Sequence, residues 1–333
     1  LMEGEHLSHL PAVKKVRTYR EFPAPHGERW EDVLLESLGN SVRRIGVEED
    51  GLVLFLRESR SDWSVRGFPF VDQAMMIKSE EEMKLVRLAS RYGDLGIQLI
   101  LDASYVGCCE MELFKVADAV KKKMAMEVGF DVLLSAMLTG AWLGPNHYPH
   151  DIPGVDRIMQ PGVPNIALSL PMVYGMKGEA EEMFFTSDPT TEQQRRYDAM
   201  IRAHMLALSL VKPGASCHQI DAEACRLLID AGYGDHIVHG VGHGIGYLSF
   251  HNTPYIVVGS HHVLQPGMVV TIEPGIYFKG DGGYRRSIMV LVTKDGYEVL
   301  TSRPIPEEPI VVPSSGKFIR RAKGYLMRQF MGF

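Results

Sequence analysis

The chain has 333 residues, 45% hydrophobic and 23% charged, with a net charge of −6, the balance of an ordinary soluble globular protein long enough for one large domain and a small one. An acidic balance without a basic stripe before the C-terminal tail gives nucleic acid little to hold. No apolar run approaches the ~18 residues of a membrane span, so neither nucleic acid nor membrane is an expected partner.

Cys108, Cys109, Cys217 and Cys225 lack zinc-type spacing, and neighbours in sequence make a poor disulfide; reduced thiols and a cytoplasmic location are the expectation. The sequence opens at Leu1 rather than Met, as a fragment would, so the lack of a signal peptide carries little weight.

Residues 1–72 are irregular, punctuated by Pro11, Pro23 and Pro25. A short helix is expected over Trp30–Leu38, with strands over Arg43–Val47 and Gly51–Arg57. So little apolar material suits part of a small N-terminal domain and its linker, leaving 73–333 as the main domain. Ser79 and Glu82 form a capping box, and Leu85, Leu88, Tyr92 and Leu95 follow at helical spacing, which predicts a helix from about Glu80 to Leu101. Glu110–Glu127 reads as a second amphipathic helix stopped by Gly129. Strands are expected over Val132–Met137, Asn165–Leu170, Met172–Tyr174 and Met183–Thr186, with a loop through Gly140 to His150.

Helices over Thr190–Val211 and Ser216–Ala231 follow, the first closed by Lys212-Pro-Gly. The chain then turns to sheet at Tyr255–Val258, Met268–Glu273, Ser287–Thr293 and Tyr297–Thr301. Paired helices, each pair followed by strands, predict an α+β domain in which helices back a curved sheet. The halves 80–187 and 190–301 repeat that order, a hint of duplication. Lys317–Arg328 reads as a basic amphipathic surface helix.

The chemistry centres on His239-Gly-Val-Gly-His243-Gly-Ile-Gly and on Glu273 at the end of an apolar run. Four glycines in eight residues exclude the helix a zincin needs, and Ile245 and Tyr247 stand where a dinucleotide loop needs glycine. What the glycines permit is close approach of backbone to substrate. His243 can exchange a proton near neutrality, and Glu273 is a half-buried carboxylate suited to a cation or metal. His147 and His251, in loops rich in glycine, proline or asparagine, point to the same pocket.

These motifs resemble the creatinase, Xaa-Pro peptidase and methionine aminopeptidase family with its pita-bread fold. The likeness spans about 77–303. It runs from Lys78-Ser-Glu-Glu-Glu and Asn146-His147-Tyr-Pro to the Gly-His243-Gly-Ile-Gly motif and His251-Asn-Thr-Pro254, then through Leu264–Gly275 to Gly282-Gly-Tyr-Arg285. It implies a pita-bread α+β domain, its curved antiparallel sheet backed by helices, behind part of a smaller N-terminal domain. It also implies a homodimer. Family peptidases bind two metal ions through Asp, Asp, His, Glu and Glu. Carried over one at a time, the histidine falls on His243, the first glutamate on Glu273 and the second aspartate on Glu179. The first aspartate falls on Leu168, beside Ser169, and the last glutamate on Ser287.

Leucine and a hydroxyl cannot replace bridging carboxylates without losing the charge that holds a metal pair. The creatinase branch, which hydrolyses a C–N bond without metal, is closer at Ser169-Leu-Pro-Met-Val-Tyr-Gly, although its glutamate after Gly-Gly-Tyr-Arg falls on Arg286. The first expectation is therefore a hydrolase of a C–N bond in a small amide, amidine or dipeptide-like substrate, without a two-metal centre or other cofactor. His243 and Glu273 would be catalytic, and His147, His251, Glu179 and Arg285 would bind substrate. Two alternatives stand beside it. One is a metal-dependent Xaa-Pro peptidase holding one divalent ion (Mn, Co or Zn) on Glu179, His243 and Glu273; the other is a non-catalytic peptide-binding module.

Overall fold

The computed structural model describes residues 16–20, 25–145, 154–249 and 252–330. The chain divides into two compact units, Leu1–Val71 and Asp72–Phe333. In the first, α1 (Trp30–Leu38), β1 (Arg44–Val47), α2 (Asp50–Ser59) and β2 (Ser64–Gly67) follow in order. Val47, Val53, Leu56, Trp63 and Val65 form its core. The expected strand at Gly51–Arg57 is the helix α2. β1 and β2 pair in parallel, and a parallel pair needs a crossover between its strands. Val53 and Leu56, three apart, supply the helix's buried face.

The second unit begins within α3 (Phe70–Met76) and continues with α4 (Glu80–Ala103). Ser79 Oγ accepts from the Glu82 amide at 3.3 Å, and Glu82 Oε2 accepts from the Ser79 amide at 2.7 Å, the reciprocal cap that starts α4. The expected helix Glu110–Glu127 is two pieces, α5 (Glu110–Phe114) and α6 (Ala117–Glu127). The Leu113 and Phe114 carbonyls at this break accept a bond from the buried Thr139 hydroxyl.

Next come β3 (Ala136–Leu143), β4 (Asn165–Val173), β5 (Met176–Lys177) and β6 (Ala180–Phe185). The first strand starts later than expected. Val132 and Leu133 are exposed, and Asp131 Oδ1 accepts from the amides of Leu133 and Leu134, so an Asx turn holds the apolar pair out of the sheet.

Helices α7 (Thr191–Leu210) and α8 (Cys217–Asp230) precede β7 (Gly242–Gly244), β8 (Asn252–Ile256), β9 (Val269–Ile272), β10 (Gly275–Phe278) and β11 (Gly282–Arg285). β12 (Ile288–Val292), β13 (Tyr297–Val299), β14 (Ile310–Val311) and α9 (Phe318–Phe330) complete the described chain. The β10–β11 hairpin was not expected; glycines at 275, 280, 282 and 283 dilute its alternation.

The strands form two main sheets. One has the order β14-β6-β4-β3 with β5 on β4, and the other β13-β12-β9-β7-β8. Each is backed by its own helices, so the two halves repeat one plan. Ile97 and Ile100 of α4 pack on Ala141, Ala167 and Phe184, while Ala207 of α7 and Ile220 of α8 pack on Val270, Ile272 and Val290. Bridges Glu181↔Ser287 and Met176↔Tyr247 join the sheets, and the glutamates expected at the site lie along that seam. No described helix is long and apolar enough to cross a membrane.

Candidate active site

A cavity of about 330 Å³ opens at the seam, lined by Glu179, Glu181, His243, Glu273 and Arg285, with Trp142, Leu168, Leu170, Tyr255 and Val257 as its apolar wall. The glycines around His243 are steric requirements. A Cβ on Gly242 would collide with the Thr271 carbonyl oxygen, and one on Gly244 with that of Thr253, so only glycine lets β7 lie between β8 and β9. Asp221 of α8, buried, fixes the two flanks of this ribbon: Oδ1 accepts from the Val241 amide and Oδ2 from the Val258 amide, each at 2.8 Å.

His243 is thereby held with Nδ1 at 3.0 Å from the Gly244 carbonyl oxygen, to which its N–H donates. Nε2 then faces Glu273 Oε1 at 3.1 Å and Glu179 Oε2 at 3.7 Å. Period-two alternation sorts the neighbouring charges between the faces of the sheet. Glu179 and Glu181 line the cavity, whereas Glu182 turns away to the buried Arg286, its Oε2 accepting from Arg286 Nε at 3.1 Å and from Arg303 at 3.3 Å. Arg285 likewise enters the cavity and Arg286 leaves it. Ser169 also points away, toward Gly96 of α4.

Each cavity carboxylate has a different setting. Ser287 Oγ donates to Glu179 Oε1 at 2.7 Å. Thr271 Oγ1 donates to Glu273 Oε1 at 3.3 Å, and Arg285 Nη1 stands 3.7 Å from Glu273 Oε2. Arg285 Nη2 donates to Glu181 Oε1, and its guanidinium lies 5.1 Å from the Trp142 ring centre.

These settings drive the ionisations apart. Burial would raise Glu273, but the Arg285 charge and the His243 bond outweigh it and hold its carboxyl at about 2. Burial and then the Glu273 charge push Glu179 up, and burial also raises Glu181 against the pull of Arg285. For His243, burial works against the charged ring, yet the bond to Glu273 and the charge of Glu179 lift it to about 9.

Of the expected site residues, Glu179, His243, Glu273 and Arg285 converge on this one cavity. His147 and His251 lie outside the described residues. Glu181 was not anticipated; the signal available was its two-residue spacing from Glu179 on a strand, which puts both on one face. Tyr277, buried behind the cavity, was also missed; it donates to His239 Nε2 at 2.7 Å while His239 Nδ1 donates to the Gly240 carbonyl.

The described residues lining the cavity do not supply the carboxylate set of a metal pair. Leu168 packs with Trp142, Ile166 and Tyr277, and the Ser287 hydroxyl is a donor to Glu179; neither offers a bridging carboxylate. They do fit one ion, because a ligand atom from each of Glu179, His243 and Glu273 lies within 4.8 Å of the others.

Two helix-backed sheets closing over a His–carboxylate pocket define the pita-bread class of α+β proteins. The chain belongs to metallopeptidase family M24, whose pattern it matches over residues 84–294. It is 27% identical over 266 residues to the Xaa-Pro dipeptidase of Pyrococcus horikoshii, covering 78% of this chain and 73% of that protein. It is 29% identical over 263 residues to the Xaa-Pro dipeptidase of Lactobacillus delbrueckii subsp. lactis, covering 77% and 69%. The X-Pro aminopeptidase of Thermotoga maritima MSB8 shares the fold with a TM-score of 0.71 at 22% identity, over 85% of this chain and 78% of that one.

Proposed function

We propose that the chain hydrolyses a C–N bond of a small dipeptide-like or amidine substrate, with His243 carrying the proton and the cavity carboxylates receiving the substrate's positive charge. The observation that carries this reading is His243 Nε2 standing between Glu273 and Glu179, at 3.1 and 3.7 Å, on the wall of the cavity. Two carboxylates displaced in opposite directions are the usual division into acid–base and electrostatic roles. Glu273, held ionised, keeps the imidazolium in place. Glu179, raised, accepts a proton from the attacking water. The hydroxyl adds to the carbon, the imidazolium protonates the departing nitrogen as the C–N bond breaks, and the Glu179 proton returns to Nε2. The dipeptide-like substrate class is supported by the Xaa-Pro dipeptidase relatives.

A second reading, a single-ion Xaa-Pro peptidase, is favoured by the convergence of ligand atoms from Glu179, His243 and Glu273. These residues would hold the ion, which when bound supplies carbonyl polarisation and a more acidic water. The test is hydrolysis of an Xaa-Pro dipeptide panel and of N-alkyl amidines by chelator-treated protein. Turnover that persists, and falls on the alkaline side as His243 loses its proton, supports the first reading. Turnover abolished by chelator and restored by one equivalent of Mn, Co or Zn establishes the second. No turnover in either state, with saturable peptide binding, leaves a binding module and overturns both. The four unpaired thiols fit a reducing compartment, and the family resemblance supports a homodimer, which light scattering of the purified chain tests.

A further inference from the structure

The C-terminal helix α9 is amphipathic in the opposite sense to an ordinary surface helix. At about 100° per residue, Phe318, Ile319, Ala322, Tyr325, Leu326 and Phe330 fall on one stripe, and Gly324 lies opposite its middle. The body of the protein takes the Gly324 side. A Cβ on Gly324 would collide with the Glu112 carboxylate and the Tyr105 hydroxyl. Arg328 Nη1 donates to Glu112 Oε1 at 2.8 Å and to the Gly107 carbonyl at 3.2 Å, and Arg321 Nη2 donates to the Ser314 carbonyl at 3.1 Å. Lys317 Nζ, just before the helix, donates to the Asp102 carbonyl at 2.6 Å. The helix is thus fixed by its glycine and its polar groups. The large side chains of the stripe stand outward, from 54% exposed at Leu326 to 88% at Phe330. A helix of a globular protein turns such a face inward, because each of these side chains left in water forfeits its transfer free energy.

Charge specifies what covers the stripe. Residues 317–330 carry five cations and no acid, in a chain whose net charge is −6. Lys317, Arg321 and Arg328 are held by the fold. Arg320 and Lys323 are exposed and make no ion pair among the described residues. A second copy of the chain seated here would bring two patches of the same sign together, since a two-fold contact joins one patch to itself. An anionic lipid surface meets both demands, with an apolar boundary for the stripe and acidic headgroups for the cations.

We propose that α9 is an in-plane anchor that seats the chain on a membrane surface containing anionic lipid. Phe318, Ile319, Tyr325, Leu326 and Phe330 enter the boundary between headgroups and acyl chains, and Arg320 and Lys323 engage the headgroups. The expectation of no membrane partner rested on the want of a spanning run; an in-plane helix needs none, and no described helix spans. α9 lies beyond residues 84–294, which carry the family pattern, and its binding is independent of turnover in the cavity.

The test is co-sedimentation of the full chain with extruded vesicles of phosphatidylcholine, with and without phosphatidylserine as a third of the lipid. Wild type is expected to bind the phosphatidylserine vesicles more tightly than the neutral ones by about tenfold or more, and less tightly as salt is raised. Arg320→Ala with Lys323→Ala should weaken that binding by about 25-fold, about fivefold for each cation at the surface. Ile319→Ser with Leu326→Ser should weaken it by about tenfold or more. All four side chains are exposed, so urea midpoints should stay at the wild-type value. Wild type that sediments with neither kind of vesicle, or equally with both, overturns the proposal. So does unchanged binding in either double variant. Light scattering reads the other occupant: a dimer that Ile319→Ser with Leu326→Ser dissociates, in a chain that leaves vesicles alone, overturns the anchor in favour of contact between copies.

Discussion

Replacing His243 with glutamine tests whether the site carries its proton on the imidazole. In the folded chain His243 titrates at about 9 against an ordinary 6.5. A group whose folded value is raised contributes stability in full below its unfolded value and loses it as pH rises through the folded one. The window is therefore about pH 6.5 to 9. Across that interval, at ~1.4 kcal/mol per pH unit, the wild-type chain should lose about 3 kcal/mol of unfolding free energy that His243→Gln never had. Burial does not dilute the figure through solvent, because the ring and both carboxylates are nearly enclosed. The depression of Glu273 is the same interaction seen from its other partner, so it is not added. The assay is urea denaturation of both proteins from pH 5 to 10 in chelator, so that no divalent ion competes for Nε2. Wild-type and variant curves that stay parallel between pH 6.5 and 9 would refute the assignment of a proton to Nε2.

Further outcomes follow from the same geometry. Asp221→Ala removes the acceptor of two short amide bonds, leaving the Val258 amide without its acceptor and the Val241 amide with only the Ile256 carbonyl; it should destabilise by about 1–3 kcal/mol in urea titrations and misplace His243. Glu182→Ala strands Arg286, buried with only its bond to the Pro304 carbonyl left, and should cost about 3–5 kcal/mol. Glu182→Leu combined with Arg286→Met should be far milder, which a double-mutant cycle measures. Adding Leu168→Asp and Ser287→Glu together supplies carboxylates at the two family positions, and elemental analysis should then find two divalent ions per chain, against an expected one or none in the parent.

The sequence carried the domain plan wherever two independent signals agreed. The helix after Ser79 had both its cap and its apolar period, and it stands within two residues of the expected end. The run Leu52-Val-Leu-Phe-Leu56 had only hydrophobicity, which a strand and a buried helix share at that length; the parallel pairing of β1 with β2 decided it, and that contact is invisible locally. Glu110–Glu127 had continuous amphipathicity, but Thr139, on a strand elsewhere, bonds the carbonyls at the break. At the site, Glu179, His243, Glu273 and Arg285 were legible because each stood in a glycine-marked motif. Glu181 was hidden in the run Glu179-Ala-Glu-Glu182, where only the strand's phase tells which acid faces the cavity and which pairs with Arg286. That Leu168 stands where the family carries a carboxylate was legible too, since a lost carboxylate is a fact of composition at one position.

The most direct test compares wild type with His243→Ala on any substrate that the chelator-treated chain cleaves, at equal concentrations of folded protein. Loss of the proton carrier should lower kcat by ~100-fold or more, the scale of general acid–base catalysis. Undiminished kcat in His243→Ala would contradict the account.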